Sequence, residues 1–436
     1  MATPRPQPHS AVFEQLRARF VDRPLSVSFR DIVGPLPADA SAHRIHPYPA
    51  RLLRQVPVFV FGCNQLTEVG QTVYDPFCGS GTVLVEAMAH GYASWGTDPN
   101  PFAALLSRVK VTPVDPLQIQ DSSRLILRSA SARDRVVPSH NRFMDRWFSA
   151  SSRIALEGLR AAIEQHSLPH QRDVFLLTLS LTAERIAHKD GRIPVPVRLQ
   201  GDPPHLLPQA IRKRYATNLQ FILDRLPRPV HVNDQPRVFE GQASSCLSII
   251  GAGRARRPHL ILTSPPYGAA QKYIRTNSIS LATIGMASES DFSKLNSLLA
   301  GREWLKAATR GAPLPDGLQS VPGVVELIEK IFSLNPMRAA IYGQYFTDMW
   351  HSFVANVSAL QPGGHYVLVS SSNTVAGLQI ETHEILAAML QALGLRRVLS
   401  LEDRIAGRSL MTRRARTAYN PIQSEVVHFF SKESDD

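Results

Sequence analysis

Two short strings of residues have the types and spacing of a chemical site. The first is Asp75-Pro76-Phe77-Cys78-Gly79-Ser80-Gly81-Thr82, which lies between a predicted strand over 72–74 and a predicted helix over 83–90. Glycines let the backbone approach a ligand closely, and a helix start offers free N–H groups. An acid at the end of a strand can bind a cationic amine. Asp98 ends the next predicted strand, where it is placed to accept hydrogen bonds from ribose hydroxyls.

The second string, Thr263-Ser264-Pro265-Pro266-Tyr267, follows an apolar strand predicted over 259–262. Two consecutive prolines hold the backbone rigid and extended, and because proline lacks an N–H, the local carbonyls are available to a partner. The Tyr267 ring offers a flat face on which a nucleobase can stack. Either string alone could be a structural turn, but the two together indicate a ligand site beside a base site.

The two strings resemble motifs I and IV of the S-adenosylmethionine-dependent amino-group methyltransferases. In that family Asp-Pro-Pro-Tyr is usual in adenine-N6 enzymes, whereas Ser-Pro-Pro-Tyr is mostly found in cytosine-N4 enzymes. The string His46-Pro47-Tyr48-Pro49-Ala50 resembles the segment just upstream of motif I that closes over the methionine end of the cofactor in many cytosine-N4 members. The resemblance covers roughly residues 41–110 and 236–431, and it implies a DNA cytosine-N4 methyltransferase.

The resemblance also implies a catalytic role for Ser264, Pro265, Pro266 and Tyr267. The Ser264 hydroxyl and the Pro265 carbonyl would hold the two hydrogens of an exocyclic amine and aim its lone pair at the methyl group, with Tyr267 stacked on the base. A base inside a duplex cannot reach such a pocket, so the cytosine is expected to be flipped out.

S-adenosyl-L-methionine is the expected cofactor. The residues expected to bind it are His46, Tyr48, Pro49, Asp75, Phe77, Gly79, Ser80, Gly81, Thr82, Asp98 and Gln242. Gln242 is included because it follows a predicted strand where the family places a residue near the adenine ring. No metal is predicted, since the fifteen histidines form no clustered ligand motif. Cytosine-C5 chemistry is disfavoured because Cys78 lies in the cofactor turn and not in a Pro-Cys pair.

The elements that position these residues run strand, loop, helix, strand, helix over 72–109, the start of a doubly wound sheet. The expected fold class is therefore α/β. It would be a Rossmann-like methyltransferase sheet, mostly parallel, with one antiparallel strand near the C-terminus and with helical insertions.

The predicted domain organisation has four parts. An N-terminal arm covers 1–40, and the first part of the methyltransferase domain, with the cofactor motifs, covers 41–114. A helical insertion over 115–235 is a candidate DNA-recognition region, and the second part of the methyltransferase domain, with the catalytic motif, covers 236–436. An insertion between the second and third strands departs from the usual family layout.

The charge balance favours a polyanionic partner. The 436 residues include 48 Lys and Arg against 36 Asp and Glu, a formal charge of +12, and cationic side chains displace the counterions of nucleic-acid phosphates. A generally basic protein is the alternative interpretation. Five arginines in one late loop either grip phosphates or are solvated: Arg404, Arg408, Arg413, Arg414 and Arg416.

The expected location is the cytoplasm. No run of about 18 apolar residues suggests a membrane span, and residues 1–8 lack the apolar core of a signal peptide. The three cysteines are too few for a disulfide framework. The expected partner is DNA, through its phosphate backbone and a flipped cytosine, and a restriction or defence-system partner is compatible with that function. No pattern specifies an oligomeric state.

Three alternatives stay open. Adenine-N6 methylation of DNA is disfavoured by Ser264. A tRNA or rRNA guanine-N2 methyltransferase would usually carry Asp-Pro-Pro-Tyr and an N-terminal RNA-binding domain, for which about 40 residues are too few. A non-catalytic DNA-binding protein on a decayed scaffold is disfavoured by the intact Asp75, Gly79, Gly81 and Ser264.

Overall fold

The computed structural model describes residues 8–37, 42–134, 140–227, 235–268, 272–302, 304–305, 313–404 and 423–434. The strands in these ranges are β1 Leu25–Val27, β2 Thr72–Asp75, β3 Ala93–Asp98, β4 Arg237–Glu240, β5 Leu260–Thr263, β6 His365–Ser370, β7 Asn373–Val375, β8 Leu378–Ile380, β9 Arg396–Arg404 and β10 Ser424–Ser431.

The helices of the same ranges fall in three groups. Those before β4 are α1 Ser10–Arg19, α2 Phe29–Val33, α3 Gln55–Phe61, α4 Thr82–Ala89, α5 Pro101–Val111, α6 Pro116–Ala132, α7 Arg142–Asp145, α8 Ala150–His166, α9 Pro169–Ile186 and α10 Pro208–Leu223. Those between β4 and β6 are α11 Cys246–Gly251, α12 Tyr273–Thr276, α13 Ser278–Thr283, α14 Phe292–Ser297, α15 Asp316–Gln319, α16 Val324–Leu334 and α17 Pro336–Ala359. The last is α18 Thr382–Ala392.

Eight strands form one sheet in the order β1-β9-β10-β6-β5-β2-β3-β4. β10 runs antiparallel to both of its neighbours, β6 and β9, and the other pairs are parallel. This confirms the predicted α/β fold with one antiparallel strand near the C-terminus. The chain leaves β2 toward β3 and β4 and then returns to the other side of β2 as β5. That reversal opens a crevice at the carboxyl ends of β2 and β5, the usual place for a ligand in such sheets.

The central strands are built on buried apolar residues, which are Val73 and Tyr74 in β2 and Leu260, Ile261 and Leu262 in β5. All residues of β2 and β5 are buried, as expected for parallel strands covered on both faces. The next elements have clear start signals: Gly81, with φ 76°, precedes α4, and Asn100 caps α5 by accepting from the backbone N–H of Phe102. These turns place the strand ends and helix starts at one edge of the sheet.

Helices α6 to α10 lie between β3 and β4 and pack with α5 and α13 around a common apolar core. The apolar spacing over 142–165 predicts one helix there, in which Trp147 and Phe148 would be core residues more often than base-stacking ones. Both are buried in this core, but they lie in the connection between α7 and α8. These helices fall inside the predicted insertion over 115–235. Within the described ranges, no helix combines the length and apolarity needed to cross a membrane.

Candidate active site

A cavity of about 300 Å³ lies where β2, β3 and β5 end. Loops after these strands form its floor, and the segment 50–52 and one face of α17 complete its wall. The predicted residues that line it are Tyr48, Asp75, Phe77, Gly79, Ser80, Thr82, Asp98, Gln242, Ser264 and Pro266. The structure therefore brings the two sequence strings, 188 positions apart at Asp75 and Thr263, to one pocket.

Five predicted residues do not line this cavity. Gly81 is a structural turn residue, because a Cβ there would lie 2.8 Å from Ser107 Oγ. In the second string, Pro265 lies between the lining residues Ser264 and Pro266, and Tyr267 follows them. His46 and Pro49 border a neighbouring cavity instead.

His46 has partners of its own away from the cavity. It is buried, its Nδ1 lies 2.8 Å from the Pro47 carbonyl oxygen, and its Nε2 lies 3.0 Å from Ser180 Oγ on α9. Burial lowers the pKa of His46 to about 4, so the ring is neutral. Its place therefore indicates a link between the segment before β2 and the helical insertion.

Asp75 is a buried carboxylate at the end of β2. Its Oδ1 accepts hydrogen bonds from Thr263 Oγ1 at 2.7 Å and from the Phe77 N–H at 3.2 Å. Burial nevertheless raises the pKa of Asp75 to about 7. A carboxylate with so costly a charge in a ligand-sized cavity would gain most from a cation beside it.

Asp98 at the end of β3 holds the glycine turn. Its Oδ2 accepts from the Gly79 N–H at 3.0 Å and its Oδ1 from the Asn100 N–H at 2.8 Å. Burial raises the pKa of Asp98 to about 6. Beside it, the buried side-chain amide of Asn100 lies next to the Tyr48 hydroxyl at the cavity wall.

The second string is braced from three other elements. Tyr345 on α17 donates to the Pro266 carbonyl at 2.8 Å, and Asn373 Nδ2 donates to the Tyr267 carbonyl at 3.2 Å. The Tyr267 hydroxyl donates to Glu425 on β10 at 3.3 Å and lies 2.9 Å from Ser264 Oγ. With the Tyr267 proton on the Glu425 side, Ser264 donates to Tyr267, and the Ser264 oxygen keeps lone pairs for a further donor.

The structure adds cavity residues that sequence reasoning missed. Tyr273 on α12 lies parallel to Tyr48, with ring centroids 6.4 Å apart. Asp348, His351 and Ser352 reach the cavity from α17. Their i, i+3, i+4 spacing places them on one face of a helix, and this pattern could have been recognised in the sequence. No local pattern distinguishes Tyr273 as a cavity residue.

One histidine cluster lies among residues that do not line the cavity. His383 Nδ1 is 3.2 Å from His428 Nε2, and Ser400 Oγ is 2.8 Å from His428 Nδ1. Glu384, whose oxygen is near this pair, is ion-paired with Arg397 at 2.6 Å. These hydrogen bonds and the ion pair make the cluster a buried polar network. The absence of a metal stays a prediction. Of the late arginine loop, Arg404 ends β9, and Arg408, Arg413, Arg414 and Arg416 lie outside the described residues.

Comparisons with known proteins support a methyltransferase. A family model described as "RMKL-like, methyltransferase domain" matches residues 64–111, which include the first string and Asp98. Type II methyltransferase M.MvaI of Kocuria varians is 21% identical over an alignment of 414 positions, which covers 89% of this chain and 89% of that one. Type II methyltransferase M.MjaII of Methanocaldococcus jannaschii is 36% identical over 85 residues, 20% of this chain and 15% of that one.

A solved structure, rRNA methyltransferase aviRa from Streptomyces viridochromogenes, aligns with 93% of this chain and 96% of its own, with a TM-score of 0.32 and 11% identity. Similarity at that level carries no argument about function. The resemblance to methyltransferases expected from the sequence is confirmed by the relatives of similar sequence. The chain is a methyltransferase with an α/β sheet, similar to Type II methyltransferases.

Proposed function

We propose that the chain is a site-specific DNA methyltransferase that transfers a methyl group from S-adenosyl-L-methionine to N4 of a flipped cytosine. The observation that carries this proposal is the common cavity of Asp75, Asp98 and Ser264. In this cavity, two acidic groups that suit a cationic ligand with hydroxyl groups lie beside Ser264, the residue that would hold the target amine.

The lining residues fit S-adenosylmethionine in their chemistry. Asp75 would bind the cationic amine, and Asp98 would accept from the ribose hydroxyls. Tyr48 and Phe77 supply aromatic surface, and Asn100 beside Tyr48 adds a polar group to the same wall. The cavity volume of about 300 Å³ lies at the lower end of the range for ligand pockets, roughly 300–1,000 Å³. When bound, this cofactor supplies an activated methyl group on a sulfonium.

Ser264 and Pro265 would act on the target amine. The lone pair of an exocyclic amine is delocalised into the ring, so the nitrogen is a poor nucleophile. Acceptors at Ser264 Oγ and the Pro265 carbonyl would take its two hydrogens and draw the nitrogen toward a tetrahedral shape. The Ser264–Tyr267–Glu425 hydrogen-bond chain supports this role, because it fixes the Ser264 hydroxyl in advance.

The choice of cytosine rests on Ser264. The Ser form of the motif resembles cytosine-N4 enzymes, and the similarity to Type II methyltransferases supports DNA as the substrate and a restriction system as the setting. Adenine N6 in DNA and guanine N2 in RNA are the competing targets. Mass spectrometry of nucleosides from duplex DNA, and in a parallel reaction from RNA, each treated with the pure protein and S-adenosylmethionine, tests the proposal directly, because the three methylated nucleosides differ in mass or retention.

Affinity for S-adenosylmethionine should rise with pH up to about 7. The pKa of Asp75 is raised to about 7, so below that pH the carboxyl must lose its proton before it can pair with the cationic amine. Each pH unit below 7 should then weaken binding by up to about tenfold. Calorimetric titrations between about pH 5.5 and 7 measure this slope, a range in which the free amine, with a pKa of about 8, stays protonated.

Asp98→Asn is the control for this slope. Burial raises the pKa of Asp98 only to about 6, so this variant should bind more weakly and still lose affinity as the pH falls. The loss should begin at a slightly lower pH, because the charge of Asp98 is one of the causes that raise the pKa of Asp75. An affinity of the unmutated protein that is constant from about pH 5.5 to 7 would contradict the pairing of Asp75 with the amine.

A further inference from the structure

A second cavity, of about 590 Å³, adjoins the active-site cavity. We call it the basic cleft. The two cavities share Tyr48, Ala50 and Arg51 as lining residues. The walls of the basic cleft come from the segment 44–51, from the end of α9 with the following loop over 189–194, and from residues 276–280 of α12 and α13. The helical insertion therefore forms one side of a passage that ends at the active site.

The described lining of the basic cleft is strongly cationic. It holds one carboxylate, Glu184, and five cationic side chains, which are Arg44, Arg51, Arg185, Lys189 and Arg192. Glu184 is already engaged by Lys189 and by Ser280 Oγ. Arg192 is ion-paired with Asp190 of the same loop, so five cationic side chains stand against two carboxylates and the cleft keeps a net positive charge.

Arg44 and Arg51 illustrate this excess of positive charge. Both residues are exposed, and the pKa of Arg51 is lowered by partial desolvation and, to a smaller extent, by the neighbouring positive charge of Arg44. An anion placed between the walls would relieve that repulsion. The wall also carries Asn277 Nδ2, which is buried and has no hydrogen-bond partner among the described residues. A donor beside several cations suits an oxyanion ligand.

We propose that the basic cleft binds the phosphate backbone of the DNA strand that carries the target base. The proposal rests on the proposed DNA methyltransferase function. A strand whose phosphates contact Arg185 and Arg192 on the insertion would pass Arg51, which borders both cavities, and so would present an adjacent nucleotide to the cavity of Ser264. The insertion between β3 and β4 would thus contribute DNA contacts, although its position departs from the usual family layout.

Arg192 offers a matched test. Its side chain is 84% exposed and paired with Asp190, and Arg124 on α6 is 76% exposed and paired with Asp121, but Arg124 does not line the cleft. We expect Arg192→Gln to weaken binding of a DNA duplex by on the order of tenfold at about 0.1 M salt. It should also make the plot of log affinity against log salt shallower by about 0.9, the value of one phosphate contact. Arg124→Gln should change neither quantity.

Two variants of Arg185 distinguish the effect of its charge from the effect of its packing. Its guanidinium contacts Asn218 and lies 5.1 Å from the centre of the Phe221 ring, so Arg185→Gln could act through packing. Arg185→Lys keeps the charge and should keep the salt slope, whereas adding Arg185→Gln to Arg192→Gln should make the slope shallower by about 1.8 in total. S-adenosylmethionine affinity, measured in parallel, should be unchanged in all variants.

Outcomes for the cleft and for the function are distinguishable. If the double variant binds duplex DNA with the affinity and salt slope of Arg124→Gln, the cleft proposal is wrong, even if N4-methylcytosine is the product. The same binding measurements with an RNA duplex of the same sequence test whether the cleft selects DNA. If the cleft variants lose RNA binding while the unmutated protein methylates RNA and not DNA, the cleft binds a nucleic-acid backbone but the proposed DNA function fails.

Discussion

Replacing Asp75 with alanine should abolish measurable binding of S-adenosylmethionine while the fold is retained. Asp75 is buried at the end of β2, and its carboxylate is held by Thr263 Oγ1 and the Phe77 N–H. Truncating one partner of a buried charge pair typically costs about 2–5 kcal/mol, which corresponds to roughly 30- to 5,000-fold in affinity. Isothermal calorimetry measures the loss.

Asp75→Asn is the matched variant for this test. Its amide oxygen can still accept from Thr263 and Phe77, so only the charge is lost. Since burial of the ionised Asp75 is costly, as its raised pKa of about 7 indicates, Asp75→Asn should unfold close to the temperature of the unmutated protein. Asp75→Ala also leaves the Thr263 hydroxyl and the Phe77 N–H without an acceptor and should unfold at a somewhat lower temperature. An Asp75→Ala affinity within about threefold of the unmutated value, less than about 1 kcal/mol, would remove Asp75 from the cofactor site.

Replacing Ser264 with alanine should lower the methylation rate by about 10²- to 10³-fold, the usual effect of removing one preorganised hydrogen-bonding group from a transition state. Cofactor affinity should change little, because Asp75 and Asp98 remain. Single-turnover transfer of labelled methyl groups, with calorimetry beside it, separates the two quantities. Ser264→Asp should retain partial activity, because adenine-N6 enzymes carry Asp at this position of the motif.

Ser123→Ala on α6 is a suitable control for the Ser264 variant. It also deletes a buried serine hydroxyl, but Ser123 does not line the active-site cavity. Its methylation rate should stay within about twofold of the unmutated rate. A Ser264→Ala protein with the same rate as Ser123→Ala would show that Ser264 does not hold the reacting amine.

The sheet could be predicted from the sequence because its central strands are short apolar runs that end at distinctive turns. β2 and β5 were recognisable in this way, and so was α4, since Gly81 before it and Gly91 after it both take positive φ. Element boundaries were less accurate. The sequence before Gln361-Pro362-Gly363-Gly364 predicts a helix over 344–360, but α17 begins at Pro336, where Asn335 caps it by accepting from the Arg338 N–H.

The site could be predicted only as far as its two strings. Asp75, Asp98 and Ser264 follow strands, so their meeting at one edge follows from parallel pairing. The surroundings depend on distant parts of the chain. The His46 ring lies toward Ser180 of the insertion, and the brace on Tyr267 comes from Glu425, 158 residues later. No local pattern specifies which segment packs there, because those contacts are settled by tertiary packing.

The product base tests the central claim most directly. Duplex DNA that contains all four bases, treated with the pure protein and S-adenosylmethionine, should yield N4-methylcytosine on nucleoside mass spectrometry, and Ser264→Ala should remove most of that signal. N6-methyladenine as the main product, or N2-methylguanosine from RNA with unmodified DNA, would contradict the cytosine-N4 assignment.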